Sequence, residues 1–316
     1  MKTIYLTPDT QPLEPSVATI GFFDGLHRGH QFLIGQVVEL ARQSNMGATV
    51  ITFARHPRQV LQADYVPQLL TTLDQKLSLL RSETDVEQAV VLPFDTAMAQ
   101  LSAREFMEQV LARQLGVRQL LIGYDNRFGH NRAEGFDDYV RHGAACGIRV
   151  VQSRAWSEGE ETVSSSVVRR HLLAGDVERA RQCLGRPYML EGQVVGGHQE
   201  GRRLGFPTAN LDTAASGQLV PATGAYAARV SLPDGSAPRP AMMNIGVRPT
   251  YGGTQQTIEV HIFNYKGDLY GQQLQVQFIG RIRPERHFAS PEELARQLRE
   301  DHEAAEQILQ KESQEQ

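Results

Sequence analysis

The sequence predicts an α/β domain followed by a smaller antiparallel β domain that ends in a helix. The 316 residues are too many for one hydrophobic core. Short apolar runs alternate with amphipathic stretches in the first part, whereas strand-like alternation and turn signals predominate after Tyr188. A break at Arg186-Pro187 separates the two patterns. We therefore expect domains at 1–185 and 186–316.

Composition and charge exclude several classes of protein. The net charge of −4 predicts no polyanion-binding surface, so we expect no nucleic acid partner. We expect no membrane segment, because apolar runs are too short and the first residues lack a signal pattern. A cytoplasmic location follows as an expectation. Cys146 and Cys183 lack a second ligand at metal spacing, which favours reduced core cysteines.

The first domain is predicted to hold a parallel sheet. Nearly continuous apolar runs predict strands that are buried on both faces, at 17–23, 48–53, 89–92, 120–123 and 148–151. Amphipathic stretches between them predict helices and right-handed crossovers. Ligands bind beyond the carboxyl ends of such strands, so the polar turns there are the candidate site.

Helix signals are specific at several places. One apolar face is formed by Leu33, Val37, Leu40 and Ala41, and another by Leu69, Leu73, Leu77 and Leu80. A capping box at Ser102 and Glu105 opens a third helix, with Phe106, Val110 and Leu111 on its face and Gly116 at its end. Two further helices are predicted before the boundary, one ending near Gly175 and one over 176–184.

The turn after the strand at 17–23 is the most informative stretch of this domain. Its sequence is Gly21-Phe22-Phe23-Asp24-Gly25-Leu26-His27-Arg28-Gly29-His30. A helix that starts here offers backbone N–H groups to an anion, and its dipole favours negative charge. His27 and His30 are spaced to face the same oxygens. A plain tight turn with surface histidines is the alternative for a glycine-rich turn alone.

Polar residues also follow three other predicted strands. Arg55, His56 and Arg58 lie past the second strand, where a solvated loop is an equal alternative. Residues 123–132 follow the fourth strand and combine Gly, Asn, two arginines and an aromatic ring, which suits a phosphorylated planar ligand. After the last strand, the serines at 164–166 and Arg169 open a helix and can bind an anion, with an ordinary N-cap as the alternative.

These motifs resemble a known family. His-x-Gly-His after a first strand is similar to the signature of HIGH-type nucleotidyltransferases, and the longer string resembles bacterial FAD synthetases. The serine run resembles their second motif, which implies a Rossmann-like domain that holds the triphosphate of ATP. The chain departs from the FAD synthetase pattern at Asn126 and at His130-Asn131.

Residues 196–210 form the second constellation. They read Gly196-Gly197-His198-Gln199-Glu200-Gly201-Arg202-Arg203-Leu204-Gly205-Phe206-Pro207-Thr208-Ala209-Asn210. The glycines predict a mobile flap, but the stretch lacks the ending of a P-loop. It resembles riboflavin kinases, which implies that Thr208 and Asn210 hold the magnesium of ATP. Neutral oxygen ligands suit Mg²⁺ when the triphosphate supplies the charge.

Glu259 is the candidate base of the second domain. Alternation over 258–263 places it on one face with His261 and Phe263. A strand carboxylate is more often solvated or paired across the sheet. The segment resembles the riboflavin kinase pattern Glu-x-His, whose Glu is the base. Further strings fit that family at 220–226, 244–250, 269–271 and 283–288.

The rest of the second domain is predicted to close into an antiparallel barrel. Leu274, Val276 and Phe278 alternate with glutamines, and turn signals occur at 233–235 and 266–268. Ser290 caps a final helix whose apolar face, formed by Leu294, Leu298, Ala305 and Ile308, is expected to pack on the barrel. The polar tail after Gln310 is expected to fray.

Together the resemblance implies a bifunctional riboflavin kinase and FMN adenylyltransferase. Riboflavin, FMN, FAD and ATP are the implied ligands, Mg²⁺ is the implied metal, and weak self-association is left open. The catalytic candidates are Glu259, His27 and His30. The binding candidates are Gly21, Phe22, Asp24, Gly25, Asp125, Arg127, Ser164, Ser165, Ser166, Arg169, Gly197, Gly201, Arg202, Gly205, Pro207, Arg283 and Glu285. The alternatives are an enzyme with one activity, or a flavin-binding protein without catalysis.

Overall fold

The chain forms two compact units in a computed structural model. The model describes residues 1–62, 64–123, 128–130, 134–154, 156, 163–196, 204–250 and 253–314, with backbone alone at 248–250 and 253–255. The first unit combines residues 1–67 with 73–163, and the second combines 68–72 with 164–316. The helices at 165–184 therefore group with the second unit. The expected boundary after Gly185 stays a prediction about where the two functions divide.

Six parallel strands build the sheet of the first unit. They are β1 (Lys2–Tyr5), β2 (Ser16–Ile20), β3 (Gly47–Phe53), β4 (Gln88–Leu92), β5 (Val117–Ile122) and β6 (Arg149–Gln152). Their order is β1-β4-β3-β2-β5-β6, with parallel pairing throughout the sheet, which confirms the predicted α/β class. Strand β1 was not predicted, because two of its four residues are exposed and two are half-buried, so this edge strand gives no buried apolar run.

Helices cover both faces of this sheet. They are α1 (Arg28–Ser44), α2 (Pro57–Leu61), α3 (Leu73–Glu83), α4 (Thr96–Gln100), α5 (Ala103–Glu105) and α6 (Phe136–Cys146), and α5 continues over Phe106–Gln114 with π-type hydrogen bonds. The predicted capping box is confirmed, since Ser102 Oγ accepts the N–H of Glu105 and Glu105 accepts the N–H of Ser102. One core packs around Phe106 and Leu111, and another around Ile34 and Leu80.

The predicted helix through Leu69 is wrong in its first turn. Helix α3 begins only at Leu73. The backbone N–H of Leu69 donates to the carbonyl of Gly217, and its carbonyl accepts from Leu219. Leu69 therefore takes part in an extended bridge of the second unit, because backbone groups distant in sequence satisfy its hydrogen bonds.

The second unit is a closed antiparallel barrel, as predicted. Its strands are β7 (Tyr188–Val195), β8 (Ala209–Asp212), β9 (Gly224–Ser231), β10 (Arg239–Thr250), β11 (Gly253–Ile262) and β12 (Gln273–Arg283), in the order β10-β11-β8-β7-β12-β9. Helices α7 (Ser165–Ala174) and α8 (Val177–Leu184) precede them. The guanidinium of Arg281 joins α7 to the barrel, since it donates to the carbonyls of Ala174 (3.0 Å) and Thr223 (2.8 Å).

The C-terminal helix α9 (Pro291–Gln314) packs on the barrel. Ser290 Oγ accepts the N–H of Glu293, which confirms the predicted N-cap. Ala305 and Leu309 lie in a core with barrel residues. The expected fraying after Gln310 is wrong: the helix continues to Gln314.

Glu312 accounts for the ordered last turn. Its side chain is 4% exposed and accepts hydrogen bonds from Arg229 Nη2 at 2.9 Å and Arg229 Nε at 3.1 Å. Arg181 Nη2 lies 3.4 Å from its other oxygen. Both arginines come from distant parts of the chain, so the polar tail has charged partners that its own sequence does not reveal.

We expect Glu312→Ala to lower the free energy of unfolding by about 2 kcal/mol, because it leaves two half-buried guanidinium groups without their carboxylate. Urea denaturation followed by circular dichroism measures this change. Glu303→Ala, on an exposed position of the same helix, is the matched control. Equal effects of the two substitutions would contradict the role of Glu312.

Candidate functional site

The turn between β2 and α1 has an unusual backbone. Phe23 and Leu26 have positive φ angles of 53° and 38°, and Gly25 has φ 79°. Both non-glycine side chains are buried, at 3% and 0% exposure, so packing holds them in a conformation that costs about 1–3 kcal/mol per residue. The strand ends at Ile20 rather than Phe23 because the backbone turns here.

Two histidines start the helix that follows. His27 is the N-cap of α1, and its Nδ1 accepts the N–H of His30 at 3.3 Å. The two imidazole rings stack with centroids 3.6 Å apart. His27 is 6% exposed, which excludes the alternative of surface histidines. A Cβ on Gly29 would lie 3.2 Å from the His27 ring, so glycine leaves this ring room.

The electrostatic surroundings keep His30 neutral. Burial, the neighbouring His27 and the charge of Lys76 all lower the pKa of His30 well below 6.5. Its Nδ1 is buried and makes no hydrogen bond within the described part of the chain. At neutral pH His30 is therefore a neutral ring with one buried nitrogen that has no partner among the described residues.

Lys76 is a site residue that the sequence analysis missed. Its side chain is 2% exposed, and its ammonium group donates to the carbonyls of Phe22 at 2.9 Å and Phe53 at 3.3 Å. Burial lowers its pKa to about 8, against an opposing effect of the Asp24 carboxylate. The available signal was its position, since Lys76 falls on the apolar face of a helix beside Leu77.

An aromatic cavity adjoins this turn. Its volume is about 420 Å³, and its walls include Gly21, Phe22, His56, Arg58, Phe94 and Phe128. The ring centroids of Phe22 and His56 lie 4.7 Å apart. The structure thus brings the turn together with His56 and Arg58, for which the sequence left a solvated loop as an equal alternative.

The loop expected to contact a planar ligand is described only in part. Asp125, Asn126, Arg127 and Asn131 lie outside the described residues. His130 belongs to the cavity wall, with its Nδ1 3.1 Å from the carbonyl oxygen of Ala99.

The serine run starts a helix, as predicted. Ser164 caps α7 and its side chain accepts the N–H of Val167 at 3.3 Å. Ser165 and Ser166 occupy the first turn. Arg169 Nε donates to the carbonyl of Gln68 at 2.8 Å, which ties this helix to residues 68–72. The anion-binding role of this run stays a prediction.

Glu259 lies opposite an amide in the barrel. The register of β8 and β11 pairs Asn210 directly with Glu259, so both side chains lie on one face of the sheet. Thr208 lies two residues before Asn210. His261 Nδ1 is 2.8 Å from the carbonyl oxygen of Pro207, which fixes the start of β8 against β11.

Two cavities lie beside these residues and share Thr208 in their walls. One, of about 220 Å³, is lined by residues that include Thr208, Asn244, Glu259, His261, Arg283 and Glu285. The other, of about 420 Å³, is lined by residues that include Pro207, Thr208, Val260, Ile262, Tyr265 and Tyr270. Thr208 contributes to both walls, so a group held at Thr208 can contact ligands in either cavity.

The C-terminal helix completes the smaller cavity. Asp301 is 2% exposed and accepts from Arg283 Nε at 2.9 Å and Arg283 Nη2 at 2.7 Å. Glu285 accepts the backbone N–H of Val247 at 3.0 Å. Asp301 was missed by the sequence analysis, although an acidic residue on an apolar helix face is again the available signal. Gly205 has φ 87°, whereas Gly197, Gly201 and Arg202 lie outside the described residues.

The oxygen donors of the barrel suit a metal ion whose positive charge is balanced by a bound anionic ligand. Within the described ranges, three or more His, Cys, Asp or Glu side chains nowhere form a cluster that could hold a metal ion. Thr208 and Asn210 offer neutral oxygens, which fit Mg²⁺ bound together with phosphates.

The free Cys183 is buried and Cys146 half-buried, as expected for core cysteines. Among the helices that the structure describes, none has the length and apolarity to cross a membrane.

A parallel α/β sheet whose first helix starts at a turn with two histidines, together with a closed barrel that pairs Glu259 with Asn210, is typical of a two-domain nucleotide-dependent transferase. The sequence model of the FAD synthetase family matches residues 9–167, and that of the riboflavin kinase family matches residues 184–309. The chain belongs to the family of bifunctional riboflavin kinase/FMN adenylyltransferases.

Relatives match over nearly the full length. The bifunctional riboflavin kinase/FMN adenylyltransferase of Escherichia coli (strain K12) is 38% identical and covers 92% of this chain and 91% of its own. The protein of the same name from Bacillus subtilis (strain 168) is 33% identical, over 96% and 97%. A crystal structure from Streptococcus pneumoniae, described as a macrolide-efflux protein, is 29% identical with a TM-score of 0.85, covering 97% of this chain and 99% of that one.

We expect the His30 ring to take up a proton only well below pH 6.5, as measured by NMR titration of ring carbon-13 signals. In the unfolded chain it is protonated near pH 6.5, so acidification below 6.5 favours unfolding through this residue. His30→Gln removes this contribution, and its unfolding free energy depends less on pH below 6.5. A folded-state pKa of 6.5 or above would contradict the burial of the ring.

Proposed function

We propose that the chain phosphorylates riboflavin to FMN in its C-terminal domain and adenylylates FMN to FAD in its N-terminal domain, each time with ATP. The family supports both activities. The single observation that carries the assignment is the pairing of Glu259 with Asn210, near Thr208, which lines two cavities. We place the functional boundary between Gly185 and Arg186.

In the kinase reaction, Glu259 accepts the proton of the riboflavin 5′-hydroxyl. The cavity that contains Glu259, Arg283 and Glu285 takes the flavin, and the cavity on the other side of Thr208 takes the nucleotide. Thr208 and Asn210 hold Mg²⁺ with the phosphates of ATP. Phosphoryl transfer depends mainly on alignment and charge neutralisation, and Glu259 and Asn210 on paired strand positions, with Thr208 nearby, are placed to provide both.

In the adenylyl transfer, the FMN phosphate attacks the α-phosphate of ATP and pyrophosphate leaves. The N-terminus of α1, with His27 and His30, stabilises the charge that develops on the phosphates. The turn residues Gly21, Phe22, Asp24 and Gly25 shape the place of the phosphates, and the aromatic cavity receives the flavin ring. The serines at 164–166 and Arg169 are proposed to hold the triphosphate.

Further residues of both domains are proposed to bind the ligands. Asp125 and Arg127 contact the ligands of the N-terminal domain, whereas Gly197, Gly201 and Arg202 cover those of the C-terminal domain with Gly205 and Pro207. We propose a cytoplasmic location without a nucleic acid partner. Weak self-association is left as an open alternative.

We expect riboflavin incubated with the protein, Mg²⁺ and ATP to give FMN and then FAD, as followed by chromatography. Glu259→Gln should lower FMN formation by about a hundredfold or more, because it removes a general base, while FAD formation from added FMN continues. His30→Ala should do the reverse, with a loss of about a hundredfold. Glu292→Gln, on an exposed position of the C-terminal helix, is the control.

The outcomes separate the alternatives. FMN that accumulates without FAD points to an enzyme with kinase activity alone. Riboflavin that binds without reacting points to a flavin-binding protein. Loss of both activities in one folded variant contradicts the assignment of two separate sites.

We expect Thr208→Val to raise the Mg²⁺ concentration that gives half-maximal FMN formation by about tenfold, because the variant keeps the shape but loses an oxygen ligand. Adenylylation of added FMN should keep its Mg²⁺ dependence and serves as the internal control. An unchanged Mg²⁺ dependence of the kinase reaction would show that Thr208 is not a ligand.

A further inference from the structure

The buried ammonium group of Lys76 has no assigned role in the mechanism above. It lies beneath the anion-binding turn, where it joins the carbonyl of Phe22, after β2, to the carbonyl of Phe53, at the end of β3. The ammonium is also 4.2 Å from the centroid of the Phe22 ring, which lines the aromatic cavity. One side chain thus fixes two adjacent strand ends and one wall of the cavity.

Stability alone does not account for a lysine at this position. Removing an ammonium group from water is costly, and an apolar side chain of similar volume is often at least as stabilising in a core. Lys76 lies on the apolar face of α3, where its neighbour Leu77 packs in the core. The position therefore retains a charge where packing would favour its removal.

The charged groups around Lys76 are arranged for an anionic ligand. Asp24, from the turn before α1, favours the charged form of the lysine. From α1, His30 lies within reach of the lysine charge, which helps to keep that ring neutral, and His27 stacks on His30. A buried positive charge bonded to the carbonyl of Phe22 in this turn strengthens the attraction of the turn for phosphate, since burial reduces screening by water.

We propose that Lys76 is a positioning residue for adenylyl transfer, fixing the ends of β2 and β3 beneath the anion-binding turn and adding positive charge where ATP phosphates bind. This inference rests on the proposed FMN adenylyltransferase activity. It assigns to Lys76 no contact with the reacting atoms.

The test compares Lys76→Met, Lys76→Arg and the control Arg81→Met, which removes an exposed cation from the same helix. Each full-length variant is assayed for FAD formation from FMN and, in the same preparation, for FMN formation from riboflavin. We expect Lys76→Met to lower kcat/KM for ATP in FAD formation by about a hundredfold through loss of alignment. Lys76→Arg should retain most activity, and kinase activity should be unchanged in all three.

A pH profile distinguishes a charge role from a merely structural one. Burial lowers the pKa of Lys76 to about 8, so its charge is lost as pH rises through that value. We expect kcat/KM for ATP in the original chain to fall by about tenfold between pH 7 and 9, and that of Lys76→Arg to stay level. His30 does not contribute to this fall, because its pKa is lowered well below 6.5.

The remaining outcomes overturn either the proposed function or the role of Lys76. If the original chain forms no FAD, the proposed function fails. If the original chain forms FAD and Lys76→Met is as active as the original chain, the inference fails. It also fails if Lys76→Arg is as inactive as a folded Lys76→Met. If Lys76→Met does not fold, the pH profile of the original chain decides, and a level profile across pH 8 overturns the inference.

Discussion

The strained backbone of the turn after β2 is the constraint on which the N-terminal site depends. Positive φ angles at Phe23 and Leu26 redirect the chain within four residues, and burial of both side chains helps to maintain them. This geometry makes His27 an N-cap and stacks it on His30. The core of the first unit thus supplies the energy that holds the start of α1 in this geometry.

In the barrel, the candidate residues are positioned by strand register and not by a strained backbone. Closure leaves β8 and β11 little freedom to slip, so Asn210 stays opposite Glu259. The pair of Arg283 and Asp301 then holds the C-terminal helix against the cavity. Rigid elements therefore carry the candidate groups of the barrel.

Much of this arrangement could be predicted because its signals are local. Caps, the parallel sheet, the barrel and the motif residues His27, His30, Thr208 and Glu259 depend on short strings. Lys76 and Asp301 were not predicted, because the role of a charged residue on an apolar helix face can be recognised only from its partners in the folded structure. Leu69 and the tail at Glu312 were mispredicted for the same reason, since Gly217, Leu219, Arg229 and Arg181 are distant in sequence.

Residues 68–72 affect how the barrel unit can be produced as a separate fragment. They group with the barrel unit, while the residues on both sides of them group with the α/β unit. The carbonyl of Leu70 accepts from the side chain of Gln218, and the backbone of Leu69 pairs with Gly217 and Leu219. A single cut after residue 163 therefore separates these partners, and an isolated barrel fragment needs this short segment supplied, as a peptide or a graft, to restore these hydrogen bonds.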